Sequence, residues 1–317
     1  MNKKWHPCEL HCHTLHSDGG FTVKELMETA KARQLSGICL TDHNTFSGYE
    51  ETKEFSSPAV LRGIEWTTYF GHMLVLDCNG DVDWRNAVPD NIDEKMKEVH
   101  SFGGLVGIAH PFQLGTPICT GGHWDYNIKD FSLVNYMEIW SEGEPLMTPA
   151  NKRAKKWWLS LLDKGYRISP TFGRDWHRAT GDKIKGACTC LLMEGDITPE
   201  KIKEAIVKGR TQLTLGIIMD VKGETGEAVG DTLKAGEHIF TVSTDKKRAE
   251  LFSEEYTLKA EKIRVITHGG EILYEGTAEK STLSLTLEEN SYYVFELWGR
   301  INEEENHLLA MTAPIYT

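Results

Sequence analysis

The chain contains no apolar run approaching the ~20 residues that cross a bilayer, so a helical membrane protein is not expected. It has no block of basic residues either. Lys and Arg number 35 against 47 Asp and Glu, and the formal net charge of −12 excludes a broad nucleic-acid-binding face. The seven cysteines are odd in number and show no framework spacing, so reduced thiols are expected rather than a disulfide scaffold. Cys188 and Cys190, two apart on one strand face, read as core residues. The opening Met-Asn-Lys-Lys-Trp-His-Pro is not followed by the apolar stretch of a secretory signal. No internal repeat and no low-complexity segment is visible. These absences lead to the expectation of a soluble, cytoplasmic protein with no membrane association. At 317 residues and 40% hydrophobic composition, the chain can build one large α/β domain and a smaller one.

The sequence is distinctive in its imidazoles and carboxylates. His11-Cys12-His13 closes one strand-like run, and Asp175-Trp176-His177 follows another, Tyr166 to Gly173. Side chains two apart on a strand point to the same face, so each pair aims two candidate metal ligands at one point. Between them lie Asp42-His43, Glu65, His72 and His110-Pro111, each beside a short apolar run.

The apolar runs alternate with helical patterns over about the first 215 residues. Thr22 and Glu25 form a capping-box signature ahead of the stripe Val23, Leu26, Met27 and Ala30. Asn91 with Glu94, Thr148-Pro149 and Thr198-Pro199 mark three more helix starts. Strands are expected at Trp5–Leu10, Ile38–Thr41, Val60–Trp66, Met73–Leu76, Leu105–Ala109, Val134–Trp140 and Tyr166–Gly173. Strand and helix in alternation predict a parallel sheet. In such folds functional groups collect at the strands' C-terminal ends. A barrel brings those ends together around one axis, so a barrel is preferred to an open sheet. From about Leu215 the helical period stops and short β-rich runs with turn residues take over, predicting a small all-β sandwich. The expected division is 1–216 for the α/β barrel and 217–317 for an accessory β-sandwich.

Taken together, His11-x-His13-Thr14 with Ser17-Asp18-Gly19, Thr41-Asp42-His43-Asn44, Gly63-Ile64-Glu65, Ala109-His110-Pro111 and Gly173-Arg174-Asp175-Trp176-His177 resemble the motif set of the PHP (polymerase and histidinol phosphatase) superfamily. The later segment resembles the tail of the branch that includes carbaryl-hydrolase-like and microcin-related members. The resemblance implies a distorted (β/α)7 barrel carrying two or three divalent metal ions, Zn, Mn or Fe. It implies that His11, His13, Glu65 and Asp175 hold one metal, that Glu65 bridges to a second completed by His72 and His110, and that Asp18, His43 and His177 hold a third. Carboxylates and imidazoles suit these metals, and a bridging carboxylate lowers the repulsion between neighbouring cations. The chain departs from the usual pattern at Glu9, where the family often has Asp, and at Arg174 and Trp176, where small residues are usual.

The implied activity is metal-dependent phosphoester hydrolysis, of mono- or diesters, with a water between two cations as the nucleophile. His11, His13, Glu65, Asp175 and His177 are its expected catalytic residues. Arg174 and Trp176 are expected to contact substrate, an anionic small molecule whose charge the cations would meet despite the acidic chain. The alternative is a carbamate, amide or ester hydrolase using the same centre. A non-catalytic binding role fits less well. Asp42 is expected to orient an imidazole. Glu138 reads either as a second such partner or as plain strand polarity. His123 is a further candidate ligand. Lys152, Arg153, Lys155 and Lys156 read as the solvated face of a helix.

Overall fold

The computed structural model describes residues 3–115, 121–142, 148–180, 184–253, 256–279 and 281–317; Cys119 lies outside them. The first two-thirds of the chain alternate β1 (Lys3–Cys12), α1 (Val23–Ala32), β2 (Gly37–Leu40), α2 (Tyr49–Thr52), β3 (Ala59–Thr68), β4 (Gly71–Leu76), α3 (Ile92–Ser101), β5 (Leu105–Ile108), β6 (Tyr136–Ser141), α4 (Pro149–Leu162), β7 (Ser169–Gly173), β8 (Cys188–Glu194), α5 (Pro199–Val207) and β9 (Thr211–Thr214). The cap signatures at Thr22, Thr148 and Thr198 form the expected hydrogen bonds at the starts of α1, α4 and α5. Asn91 precedes α3 without a capping bond, and its side chain accepts from Val88 N instead. The buried face of α1 is Val23, Leu26, Met27 and Ala30, which pack with Phe21, Ile38 and Trp176. Among the described residues, no helix is long and apolar enough to cross a membrane.

The sheet is mixed, not parallel throughout as expected. Strands β1, β2 and β3 run parallel, as do β5, β6 and β7, but β4 is antiparallel to both β3 and β5. Only Tyr69 and Phe70 separate β3 from β4, too short a link for a parallel crossover. Strand β8 is antiparallel to β1 and to β9.

The expected closed barrel is also corrected. The hydrogen-bonded order β9-β8-β1-β2-β3-β4-β5-β6-β7 ends at β7 without a return ladder. Strand β8 takes the edge of β1 over Lys3–Cys8, which leaves β7 no strand partner there. Side chains bridge the gap. Thr189 Oγ1 accepts from Phe172 N at 2.8 Å and donates to Phe172 O at 3.0 Å, and Thr211 Oγ1 donates to Pro170 O at 2.8 Å. Proline has no N–H, so Pro170 could not complete an ordinary ladder. At the other end, Trp176 N donates to His11 O at 3.0 Å, and His13 N donates to Trp176 O at 2.9 Å. That one bridge draws the segment after β7 onto the end of β1.

Beyond residue 216 the chain is strand-rich: β10 (Ile218–Gly223), β11 (Gly236–Asp245), the short helix α6 (Lys247–Leu251), β12 (Leu258–Ile266), β13 (Ile272–Thr277), β14 (Ser281–Leu287), β15 (Tyr292–Ile301), β16 (Glu304–Thr312) and β17 (Ile315–Tyr316). Strands β10, β11 and β14 form a separate sheet. Strands β12, β13, β15 and β16 continue the large one, because β16 pairs with β9. Phe240 of β11 and Phe295 of β15 meet at 5.6 Å between ring centres, joining the two sheets through their apolar faces. Lys155 of α4 pairs with the buried Glu296 of β15, so this side chain is not part of a solvated face.

Candidate metal centre

The ligand candidates meet because of where their strands end. His11 lies within the last residues of β1 and His13 just beyond it. His43 follows β2, His110 follows β5, and Asp175 and His177 follow β7. His72 stands near the start of β4, not the end of a strand, yet antiparallel pairing sets it opposite Thr67 near the end of β3. Asp18 comes from the loop after β1. The nine residues form three contiguous groups: His11, His13, Glu65 and Asp175; Glu65, His72 and His110; and His13, Asp18, His43 and His177.

Glu65 is fully buried and divides its two oxygens between groups. Its Oε2 faces His11 Nε2 at 3.2 Å, His13 Nε2 at 3.3 Å and His43 Nδ1 at 2.8 Å. Its Oε1 faces His72 Nδ1 at 2.9 Å and His110 Nε2 at 3.2 Å. Asp175 Oδ1 lies 2.9 Å from His13 Nε2 and 3.3 Å from His11 Nε2. Asp18 Oδ1 lies 3.0 Å from His177 Nε2 and 3.3 Å from His43 Nε2.

Electrostatics follow from this crowding. Burial works against a charged His11, but Glu138, Glu65 and Asp175 outweigh it and hold the imidazole well above its ordinary range. Burial likewise opposes charge on His43, and the carboxylates of Asp18 and Glu65 overcome it, raising the ring to about 10. His110 and His177 shift up in the same way against burial, through Glu65 and Asp18 respectively. For His13 burial prevails and the shift is downward. Burial opposes ionisation of Glu65 and Asp175, yet the imidazoles hold both carboxyls well below the carboxylate range. The group is therefore a set of anions compensated by protons, which divalent cations can replace.

The surrounding bonds fix ring orientations. His11 Nδ1 is 2.8 Å from Glu138 Oε1, while Glu138 Oε2 accepts from His110 N at 2.8 Å. Glu138 therefore holds two candidate ligands at once, which resolves its ambiguous reading from sequence. His177 Nδ1 is 2.7 Å from Asp175 O, and His43 Nδ1 bonds Thr67 Oγ1. In both rings Nε2 is left facing Asp18 Oδ1.

Residues 9–69 match the PHP domain family. An uncharacterised protein of Methanocaldococcus jannaschii is 32% identical over 126 residues, covering 35% of this chain and 69% of the relative. The chain belongs to the PHP domain family. A second uncharacterised M. jannaschii protein is 26% identical over 110 residues, covering 35% of this chain and 48% of its own length. In fold, the chain is similar to a two-domain protein from Bacteroides vulgatus containing a predicted PHP-like metal-dependent phosphoesterase. The TM-score is 0.53 and the identity 13%, over 99% of this chain and 96% of the other.

The donor set passes a direct test of fit to the metal ions that PHP proteins imply. His11 Nε2, His13 Nε2, Glu65 Oε2 and Asp175 Oδ1 are buried, converge as described, and make no aligned hydrogen bond. Four converging donors of imidazole and carboxylate type suit a Zn, Mn or Fe ion better than they suit one another.

Several expectations are corrected within this PHP centre. Arg174 does not face the cavity: it is 3% exposed, its Nε meets Glu9 Oε2 at 3.3 Å, and a terminal nitrogen donates to Ala187 O at 2.7 Å. Trp176 is 2% exposed and packs edge-on against Phe21, so it is a core residue rather than a substrate contact. Asp42 orients no imidazole. It accepts from Thr14 N at 2.6 Å, Thr14 Oγ1 at 2.8 Å and Ser17 Oγ at 2.8 Å, bracing the loop that carries Asp18. His123 is outside the three groups and pairs with Asp125 at 2.7 Å on the surface. The cavity over the centre, about 220 Å³, is lined by Asp18, His43, His72, His110, Asp175 and His177. Gln113, Leu114, Gly122, Ser141 and Glu142 complete the wall and carry no signal in the sequence.

Proposed function

We propose that this PHP protein is a metal-dependent phosphoesterase, acting on a small anionic mono- or diester at the cavity over the three groups. The observation that carries this reading is the divided Glu65, whose two oxygens serve two sets of imidazoles. A carboxylate so placed could serve two cations and would lower their mutual repulsion. When bound, two or three divalent ions of Zn, Mn or Fe supply a Lewis acid for the phosphoryl oxygen and bring a water's pKa close to neutrality. His11, His13, Glu65 and Asp175 are the residues we assign to one ion, Glu65 with His72 and His110 to a second, and Asp18, His43 and His177 to a third. The protein's own part is to hold these groups in orientation. Glu138 keeps a proton on His11 Nδ1 and so presents Nε2, while burial of Glu65 and His13 excludes bulk water from the floor of the site. We further propose that the centre belongs to a unit of residues 1–216, with 217–317 as an accessory β domain.

A second reading, hydrolysis of a carbamate, amide or ester bond, is favoured by one observation. Among the described residues lining the cavity, none is Lys or Arg to pair with a phosphate. The two readings separate in one assay. The Mn-loaded protein is given p-nitrophenyl phosphate, bis-p-nitrophenyl phosphate and p-nitrophenyl carbonyl esters, with Asp175→Asn as control. Phosphoester turnover that the control lacks is the expected result. Carbonyl ester turnover alone would transfer the assignment to the second reading.

A further inference from the structure

One wall of the cavity is not part of the ligand set. It consists of Gln113, after His110, and Ser141 and Glu142, at the exit of β6. Gln113 Nε2 donates to Ser141 Oγ at 2.9 Å, and the same amide is hydrogen-bonded to the Glu142 carboxylate. Ser141 is held in turn by Asn151, whose Oδ1 accepts from Ser141 N and lies near Ser141 Oγ, each at 3.3 Å. The wall is thus anchored to α4.

Glu142 is unusual in two respects. Its φ is +73°, in the left-handed region that Asn and Asp tolerate and glutamate rarely enters. Asp175 and His110, which line the same cavity, also carry positive φ, at 52° and 22°. Strain of this kind collects where side chains must be aimed at a site. Second, the cavity's other carboxylates, Asp18 and Asp175, are matched by imidazoles at 2.9–3.3 Å. Glu142 instead stands at the rim, where its described hydrogen-bond partner is an amide. Partial burial and the nearby Asp175 carboxylate push its carboxyl upward, against His110 and the Gln113 hydrogen bond.

We infer that Glu142, backed by Gln113, is a specificity residue that selects phosphoesters whose leaving group carries a hydrogen-bond donor, a hydroxyl or an ammonium. An ionised carboxylate only accepts hydrogen bonds, so a leaving group without a donor would cover Glu142 while leaving it the Gln113 amide alone as partner. The inference rests on the phosphoesterase reading given above.

The test compares matched substrates on the Mn-loaded enzyme: glycerol 2-phosphate against isopropyl phosphate for hydroxyl, and O-phosphoethanolamine against propyl phosphate for ammonium. The quantity read is the ratio of kcat/KM within each pair, in wild type and in Glu142→Gln. We expect at least one pair to favour the donor by about tenfold or more in wild type, and that preference to fall about tenfold in Glu142→Gln. The responding pair identifies the donor. A purely structural role would lower both members alike and leave the ratio unchanged. Ratios near unity in wild type, or ratios unaltered in the variant, would overturn the inference while leaving the phosphoesterase reading intact. Turnover of p-nitrophenyl carbonyl esters with none of any phosphate would overturn both.

Discussion

Glu138 shows how a single side chain can join two parts of a site. It contacts His11 Nδ1 with one oxygen and His110 N with the other, and it is 1% exposed. Glu138→Gln keeps the shape but replaces one acceptor oxygen with an amide donor, so His11 loses its fixed tautomer or its partner. Metal affinity is expected to fall about 10–100-fold, measured by competition with a chromogenic chelator. Wild-type affinity in this variant would show that His11 needs no such support. At this scale the sequence was informative where chemistry has short spacing. His11 with His13, and Asp175 with His177, follow from strand alternation. Arg174 and Trp176 were misread because flanking residues in the same motif alternate away from the site, here into Glu9 and Phe21. Gln113 and Glu142 were not legible, since an amide and a carboxylate beyond strand ends look like any loop.

The elements explain why the expected barrel does not close. Strand β7 contains Pro170, and β8 already occupies β1, so contacts across the gap pass through the hydroxyls of Thr189 and Thr211. Thr189 is fully buried. Thr189→Val would leave the N–H and the C=O of Phe172 without their partner at nearly constant volume. A loss of about 1–3 kcal/mol in urea unfolding is expected, with Thr189→Ser close to wild type. Equal stability of the Val and Ser variants would mean that the seam between β7 and β8 is held by packing alone. Most strands and helices of the first two-thirds were legible from apolar runs and caps. Their directions were not. An apolar run has the same pattern whichever way it points, and the two-residue link at Tyr69-Phe70, which forces β4 to reverse, contains no glycine or proline. The reversal of β4 is also what carries His72 to the end of the sheet where the other candidates lie.

At the scale of the whole molecule, the change of texture near Leu215 marks where helices give way to strands, but it conceals a continuity. Pairing of β16 with β9 extends one sheet across that position, and Lys155 reaches from α4 to Glu296 in β15. Such contacts join residues far apart in sequence, and nothing local announces them. The same is true of the centre itself, assembled from candidates spread between His11 and His177. Its raised imidazoles and depressed carboxyls mean that the metal-free protein stores protons among buried anions at neutral pH. Cations that take the site must expel them. The decisive measurement is therefore a calorimetric titration of metal-free protein with Mn²⁺ at pH 7, in buffers of different protonation enthalpy, for wild type and Glu65→Gln. Binding of two or more ions per chain with net proton release, and fewer ions in Glu65→Gln, is the predicted result. A single ion or none, with no proton release and no effect of Glu65→Gln, would contradict a centre built around a bridging Glu65.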